Sequence, residues 1–150
     1  MLATYKTITH SDIDSITAMM SAFYAIDAYP MDIDKSKKMF IEFIENENLG
    51  KAWLIIFEDK IIGYIILTFV FSFEYGGKIA FVDELYLSEN ARGKGFGRSS
   101  IDFIKNEAAK LSLKLLYLEV EEHNSNAQQL YLSSGFTAHN RKLMSYKIIN

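Results

Sequence analysis

Beyond the middle of the chain the hydrophobic pattern changes period across six residues, Arg92-Gly93-Lys94-Gly95-Phe96-Gly97. Before them, Ile79 to Leu87 reads as a strand; after them, Ile101, Ile104, Ala108 and Leu111 share one face at helical spacing. Glycines let the backbone take positive φ and approach a ligand closely. A helix opening directly behind them offers N–H groups without intrahelical acceptors, at the positive end of the helix dipole. Arg92 and Lys94 add charge of the same sign. Strand, turn and helix together make a cradle for a pyrophosphate. Spacing alone leaves one alternative open, a plain glycine turn with two solvated cations.

Two nucleotide motifs do not fit. The string G-x-x-x-x-G-K-[ST] of a P-loop is absent. The dinucleotide fingerprint G-x-G-x-x-G is met at Gly93 and Gly95, but its last position is Arg98. Glu119 or Glu121 would imitate the ribose-binding acid after the next strand. The turn lies so late, however, that too few β-α units remain for a dinucleotide fold. An oxidoreductase or nucleotide-binding protein is the minor alternative.

Around this unit the chain predicts a single domain spanning residues 1–150, with no linker, repeat or low-complexity segment. Tyr5 to Ile8 reads as a strand. Ser11 followed by Asp14 marks a helix start, and Ile13, Ile16, Met20 and Phe23 follow helical spacing. A second helix runs from Lys35 to about Asn46. Met19, Met20, Met31 and Met39 read as packing residues. Strands Ala52 to Phe57 and Ile61 to Phe73 flank a Glu58-Asp59-Lys60 turn, and Gly76-Gly77 turns the chain into Ile79 to Leu87. After the glycine segment come strand Leu115 to Val120, helix Ser125 to Ser134 and a final strand, Leu143 to Ile148. The order β-α-α-β-β-β-α-β-α-β gives an α/β fold with a mixed, mostly antiparallel sheet. Parallel pairing is expected around its central β-α-β unit.

Composition narrows the classes of function. The chain of 150 residues is 49% hydrophobic and 23% charged, too apolar for disorder. A formal net charge of −3 disfavours a nucleic-acid binder. No cysteine is present, so disulfides, thiolate-zinc sites and a thiol nucleophile are excluded. His10, His123 and His139 are scattered, and no metal is expected. The longest apolar run, Ile61 to Phe73, is short of the roughly 20 residues of a membrane helix. The N-terminus lacks a signal-peptide pattern. A cytoplasmic location without membrane or nucleic-acid partners is the expectation.

A family resemblance then becomes specific. Val82 to Leu87, Ser88 to Ala91 and the R-G-K-G-F-G string resemble motif A of the GNAT (GCN5-related N-acetyltransferase) superfamily. Its pattern is Q/R-x-x-G-x-G/A, with Arg92, Gly95 and Gly97 at the defining positions. Leu118-Glu119-Val120, then Asn124, Ala127, Leu130-Tyr131 and Gly135-Phe136, resemble motif B, matching N-x-x-A-x-x-L-Y-x-x-x-G-F at every position. Both blocks occur in order at the expected separation.

The resemblance implies an acyltransferase of the acyl-CoA N-acyltransferase fold, with central parallel strands splayed around acetyl-coenzyme A. Backbone groups from Leu85, Tyr86 and Leu87 would follow the pantetheine arm. Arg92, Gly93, Lys94, Gly95, Phe96, Gly97, Arg98 and Ser99 would surround the pyrophosphate, and Asn124, Ala127 and Tyr131 would complete the cofactor site. Asn124 is equally well placed as a helix N-cap. Tyr131 is the implied acid for the leaving thiolate. An unperturbed phenol has a pKa of about 10 against about 8.5 for a thiol, so it carries a proton to give. Asp83 is the first candidate for the base and Glu84 the reserve. Successive strand side chains face opposite ways, so only one should line the groove unless a bulge intervenes. A water chain is the third route.

The acceptor is the least constrained element. Tyr24, Asp27 and Tyr29, with Phe71 and Glu74 at the hairpin end, are the candidate substrate-binding residues, alongside Phe23, Phe73 and Tyr75. Asp27, Glu74, Asp83 and Glu84 together would favour a small cationic primary amine. A peptide or protein amine and a catalytically silent acyl-CoA-binding module are the alternatives. A homodimer is left open.

Overall fold

The computed structural model describes residues 2–150. It divides into two compact units, the first ending at Glu119 and the second running from Val120 to Asn150.

The first unit is built on a five-stranded sheet in which strands follow in sequence order: β1 (Thr4–Thr7), β2 (Gly50–Phe57), β3 (Lys60–Ser72), β4 (Gly77–Leu87) and β5 (Leu116–Tyr117). The first three pairings are antiparallel and β4 with β5 is parallel. Helices α1 (Ile13–Ile26) and α2 (Ile33–Glu45) precede β2, and α3 (Phe96–Lys110) links β4 to β5. This is the mixed α/β sheet that the element order predicts.

Alternation along the strands sorts side chains into two cores. Ala52, Leu54, Tyr64 and Ile66 pack with Ile16, Met20 and Phe40 of α1 and α2. Their neighbours Trp53, Ile55, Ile65 and Leu67 pack with Ile104 of α3 on the opposite face. Both sheet faces are thus covered, which is why β2 and β3 read as continuous apolar runs. Gly63 is required by the approach of β4: a Cβ there would sit 2.1 Å from the Tyr86 carbonyl oxygen.

Several boundaries differ from the sequence reading. The start of α1 is set two residues earlier than the Ser11–Asp14 pair. The Thr9 amide donates to Asp12 Oδ2 at 2.9 Å, and one 3-10 turn, His10–Asp12, leads into the helix. Helix α2 opens at Ile33 because Asp32 caps it, accepting from the Lys35 amide at 3.0 Å. The strand expected over Leu115 to Val120 keeps only Leu116–Tyr117, paired with Ala80 and Phe81.

The second unit holds α4 (Ser125–Ser133), capped at both ends. Asn124 Oδ1 accepts from the Ala127 amide at 3.1 Å. At the other end Gly135 takes φ 96°, Phe136 N donates to Tyr131 O at 3.0 Å, and Gly135 N to Leu132 O at 3.2 Å. That is a Schellman stop, and the Tyr131 and Phe136 rings meet edge-on at 5.7 Å to supply its apolar contact. The final strand predicted over Leu143 to Ile148 is not formed. Leu143, Met144, Tyr146 and Ile148 are exposed. Apolar spacing makes a strand only where a sheet edge accepts its backbone, and no ladder includes this segment.

Candidate active site

The site begins with an irregularity in β4. Ile66 pairs with Glu84 but Leu67 pairs with Val82, so Asp83 is an extra residue, a β-bulge. Val82 and Leu85 both pack on the α3 side, three positions apart, whereas regular alternation would put them on opposite faces. The bulge changes the parity. Asp83 and Glu84, which regular alternation would separate, both line one cavity of about 650 Å³ between the sheet and helices α1 and α2.

Glu84 is held firmly there. Tyr24 of α1 donates its hydroxyl to Glu84 Oε2 and Tyr64 of β3 donates to Oε1, both at 2.7 Å. Burial pushes the Glu84 carboxyl up, the two phenols oppose that shift by bonding to the charged form, and the charge of Asp83 adds to it; the net direction is upward. Burial, followed by the carboxylate, drives both phenols upward, so both remain donors at neutral pH. Asp83 is different. Among the described residues it has no hydrogen bond or ion pair, it remains solvent-exposed, and partial desolvation raises its carboxyl.

Past the bulge, β4 has a free side. The Ser88 amide donates to Ile62 O of β3 at 2.8 Å. Backbone groups alternate sides along a strand, so those of Leu85 and Leu87 face away from β3. The β5 ladder reaches only Phe81, and the two strands part beyond it. Arg92 Nε donates to Leu87 O at 3.0 Å and its guanidinium lies 5.8 Å from the Tyr86 ring centroid, fastening the glycine turn to the end of β4.

The turn has the conformation that its glycines permit. Gly93 takes φ 71° and Gly95, capping α3, takes φ 87°; a Cβ on either would meet nothing within 4 Å. Open space therefore stands over the backbone at the amide end of a helix of 15 residues. Arg92, Lys94 and Arg98 are exposed around it. These features fit a pyrophosphate. Two residues of the predicted cradle have other roles: Phe96 is buried against Phe57, ring centroids 4.9 Å apart, and Ser99 Oγ donates to Phe96 O at 3.1 Å. The hydroxyl proton of Ser99 is thereby committed within the helix. The Tyr86 side chain likewise belongs to the core, 5.3 Å from the Phe23 ring.

Of the predicted substrate-binding residues, only Tyr24 lines the cavity; Asp27, Tyr29, Phe71 and Glu74 do not. Phe71 and Phe73 are exposed and stack edge-on at 5.2 Å, because the hairpin carries them past the helices. The cavity is lined instead by residues that the sequence reading assigned to packing, Met20, Met31 and Met39, and Tyr64, which it missed, holds Glu84 from behind the wall. The only sequence signal for Tyr64 is its place two residues from Ile66 on a face also shared with the helices. In the second unit, Asn124 is occupied as the N-cap, and burial raises the Tyr131 phenol, keeping it protonated.

Comparison with known proteins agrees with this geometry. The profile of the acetyltransferase (GNAT) family matches residues 17–136, and the chain belongs to that family. Over 59 residues it is 35% identical to the D-amino-acid N-acetyltransferase HPA3 of Saccharomyces cerevisiae, covering 39% of this chain and 37% of that protein. The match thus spans little more than a third of the yeast relative. An integron cassette protein from the mobile metagenome of Cole Harbour Salt Marsh is 29% identical, with TM-score 0.87 over 97% of this chain and 91% of its own. The fold also matches a predicted acetyltransferase of Clostridium acetobutylicum, solved with acetyl-CoA, at 16% identity, TM-score 0.80 and coverage of 97% and 96%.

Proposed function

We propose that this enzyme transfers the acetyl group of acetyl-coenzyme A to a primary amine held in the β4 cavity, by direct attack in a ternary complex. One observation carries the reading. The bulge at Asp83 sets two carboxylates into a cavity immediately before the unpaired stretch of β4 that leads to the glycine turn. The Clostridium acetobutylicum fold relative, solved with acetyl-CoA, supports the choice of donor.

Acetyl-coenzyme A supplies an activated thioester at this site. The chain's own groups divide the remaining work. Amides of Gly93 to Arg98 and the charges of Arg92 and Lys94 hold the pyrophosphate. Backbone groups of Leu85 and Leu87 pair with the pantetheine amides, and an N–H near Leu85 polarises the thioester carbonyl. Asp83 accepts the ammonium proton before the nitrogen attacks. Its raised carboxyl makes it a stronger base than an ordinary aspartate. Glu84, fixed by two phenols, holds the ammonium by charge. Tyr131 gives its proton to the leaving thiolate, the role that its place in motif B implies.

The test is acetyl-coenzyme A-dependent thiol release across amines of different charge, amino acids and peptides. Release with a primary amine, abolished in Asp83→Ala at neutral pH, supports the reading. No release with any amine class, from folded protein that binds acetyl-coenzyme A, overturns it.

A further inference from the structure

The cavity that contains Asp83 and Glu84 carries information about the acceptor beyond its amine. Its wall is not a ring of carboxylates. Met20, Met31, Met39, Phe40, Phe43 and Ile66 form the apolar part. The other charged side chains in the lining are Asp32 and Lys35, which oppose one another in sign, and Asp32 already caps α2. Net negative charge is therefore concentrated at the bulge, and the space beside it is lined mainly by hydrocarbon and sulfur, with Ser36 and Thr68 adding two hydroxyls.

From this we propose that the acceptor is an apolar-bodied monoamine. Its single ammonium would lie against Asp83 and Glu84, and its aliphatic or aryl-aliphatic body among the methionines. The inference rests on the acetyl-transfer reading for its chemistry but on the cavity alone for its selectivity. A second cation on the acceptor would lie among methionines, where the one carboxylate in reach, Asp32, already caps α2 beside the Lys35 charge, a placement that desolvation opposes. A carboxylate near the amine would be repelled by the Asp83–Glu84 pair, and one at the far end of the body would leave water for the methionine wall. Methionine is unbranched and polarizable, so this wall adapts to shape. Selectivity is then by polarity and length of the body, not by exact outline. The volume of about 650 Å³ lies in the range of pockets that enclose whole small molecules.

The experiment compares propylamine, butylamine, pentylamine and hexylamine with 1,6-diaminohexane and 6-aminohexanoate. Binding is measured by calorimetric titration of the full chain, and turnover by thiol release. Affinity and kcat/KM should climb up to about fourfold per methylene along the monoamines, the gain expected for burying each one. Hexylamine should exceed both difunctional partners by at least about tenfold, since either added charge must be desolvated. Met39→Gln, at an exposed position of the wall, should flatten the chain-length slope without unfolding the protein. A flat series, or preference for the diamine or the amino acid, overturns the proposal. Hexylamine binding with the predicted slope but no thiol release would leave the cavity assignment standing and overturn acetyl transfer. Thiol release confined to the diamine would do the reverse.

Discussion

Asp83 and Glu84 are adjacent in sequence and differ in nearly every physical respect. Glu84 accepts two phenolic hydrogen bonds, whereas Asp83 has no bonded partner among the described residues. A base must release its lone pair to a proton, and the unengaged carboxylate does so with less rearrangement. Asp83→Asn is therefore expected to lower kcat/KM at neutral pH by about 10²-fold or more, with Glu84→Gln acting mainly on KM. The pH dependence has a definite sign. Desolvation raises the Asp83 pKa in the folded state, so ionising it costs stability. That cost is absent below the ordinary carboxylate pKa of about 3.9 and complete above the raised value. Asp83→Asn should accordingly raise Tm near neutral pH, and the gain should vanish in acid. A Tm difference that does not change with pH would contradict this. Tyr131→Phe removes a hydroxyl and keeps the ring against Phe136. Turnover should fall by about 10²–10⁴-fold with acetyl-coenzyme A affinity retained, and unchanged turnover would make Tyr131 a packing residue. Adjacent carboxylates are visible in a sequence; their partners are not, because Tyr24 and Tyr64 lie 60 and 20 positions from Glu84.

Local signals carried the elements that local chemistry closes. The glycine turn was legible because positive φ and a helix start are properties of a few consecutive residues, and Gly93 and Gly95 meet them. The N-x-x-A-x-x-L-Y-x-x-x-G-F string was legible too, and it spells the caps of α4: Asn124 closes one end, Gly135 and Phe136 the other. The bulge was foreseen only as a condition, since an extra residue in β4 is defined by its register against β3. The last strand does not form, because spacing cannot say whether an edge waits for it. Two variants test this scale. Gly95→Glu should abolish acetyl-coenzyme A binding, by adding negative charge where the chain offers amides and by straining φ 87°. Arg92→Ala should weaken binding less and loosen the turn, as its bond to Leu87 O is lost. Calorimetry on folded variants separates them. Gly63→Ala places its methyl against Tyr86 O. It should cost about 1–3 kcal/mol, lowering Tm by roughly 3–10 °C.

At the scale of the whole molecule the two proposed substrates, acetyl-coenzyme A and an amine, would meet a chain of net charge −3. Its overall field mildly attracts an ammonium and mildly repels the phosphates of coenzyme A. Binding of that anion would therefore depend on a local reversal of sign, and Arg92, Lys94 and Arg98 are exposed around the glycine turn that opens α3. Exposed charges are screened over a Debye length of about 8 Å at physiological ionic strength, so this attraction should be strongly salt-dependent. The proposed amine, by contrast, would meet carboxylates inside a partly apolar cavity, where salt penetrates less. Raising ionic strength from about 0.05 to about 0.5 M should weaken acetyl-coenzyme A binding several-fold while changing the affinity for a monoamine little. Lys94→Ala should reduce the salt slope for acetyl-coenzyme A and leave the amine slope alone. The measurement is a pair of calorimetric titrations at several salt concentrations. Equal slopes for the two ligands would mean that the amine is held by exposed charge, not by the cavity at the β4 bulge.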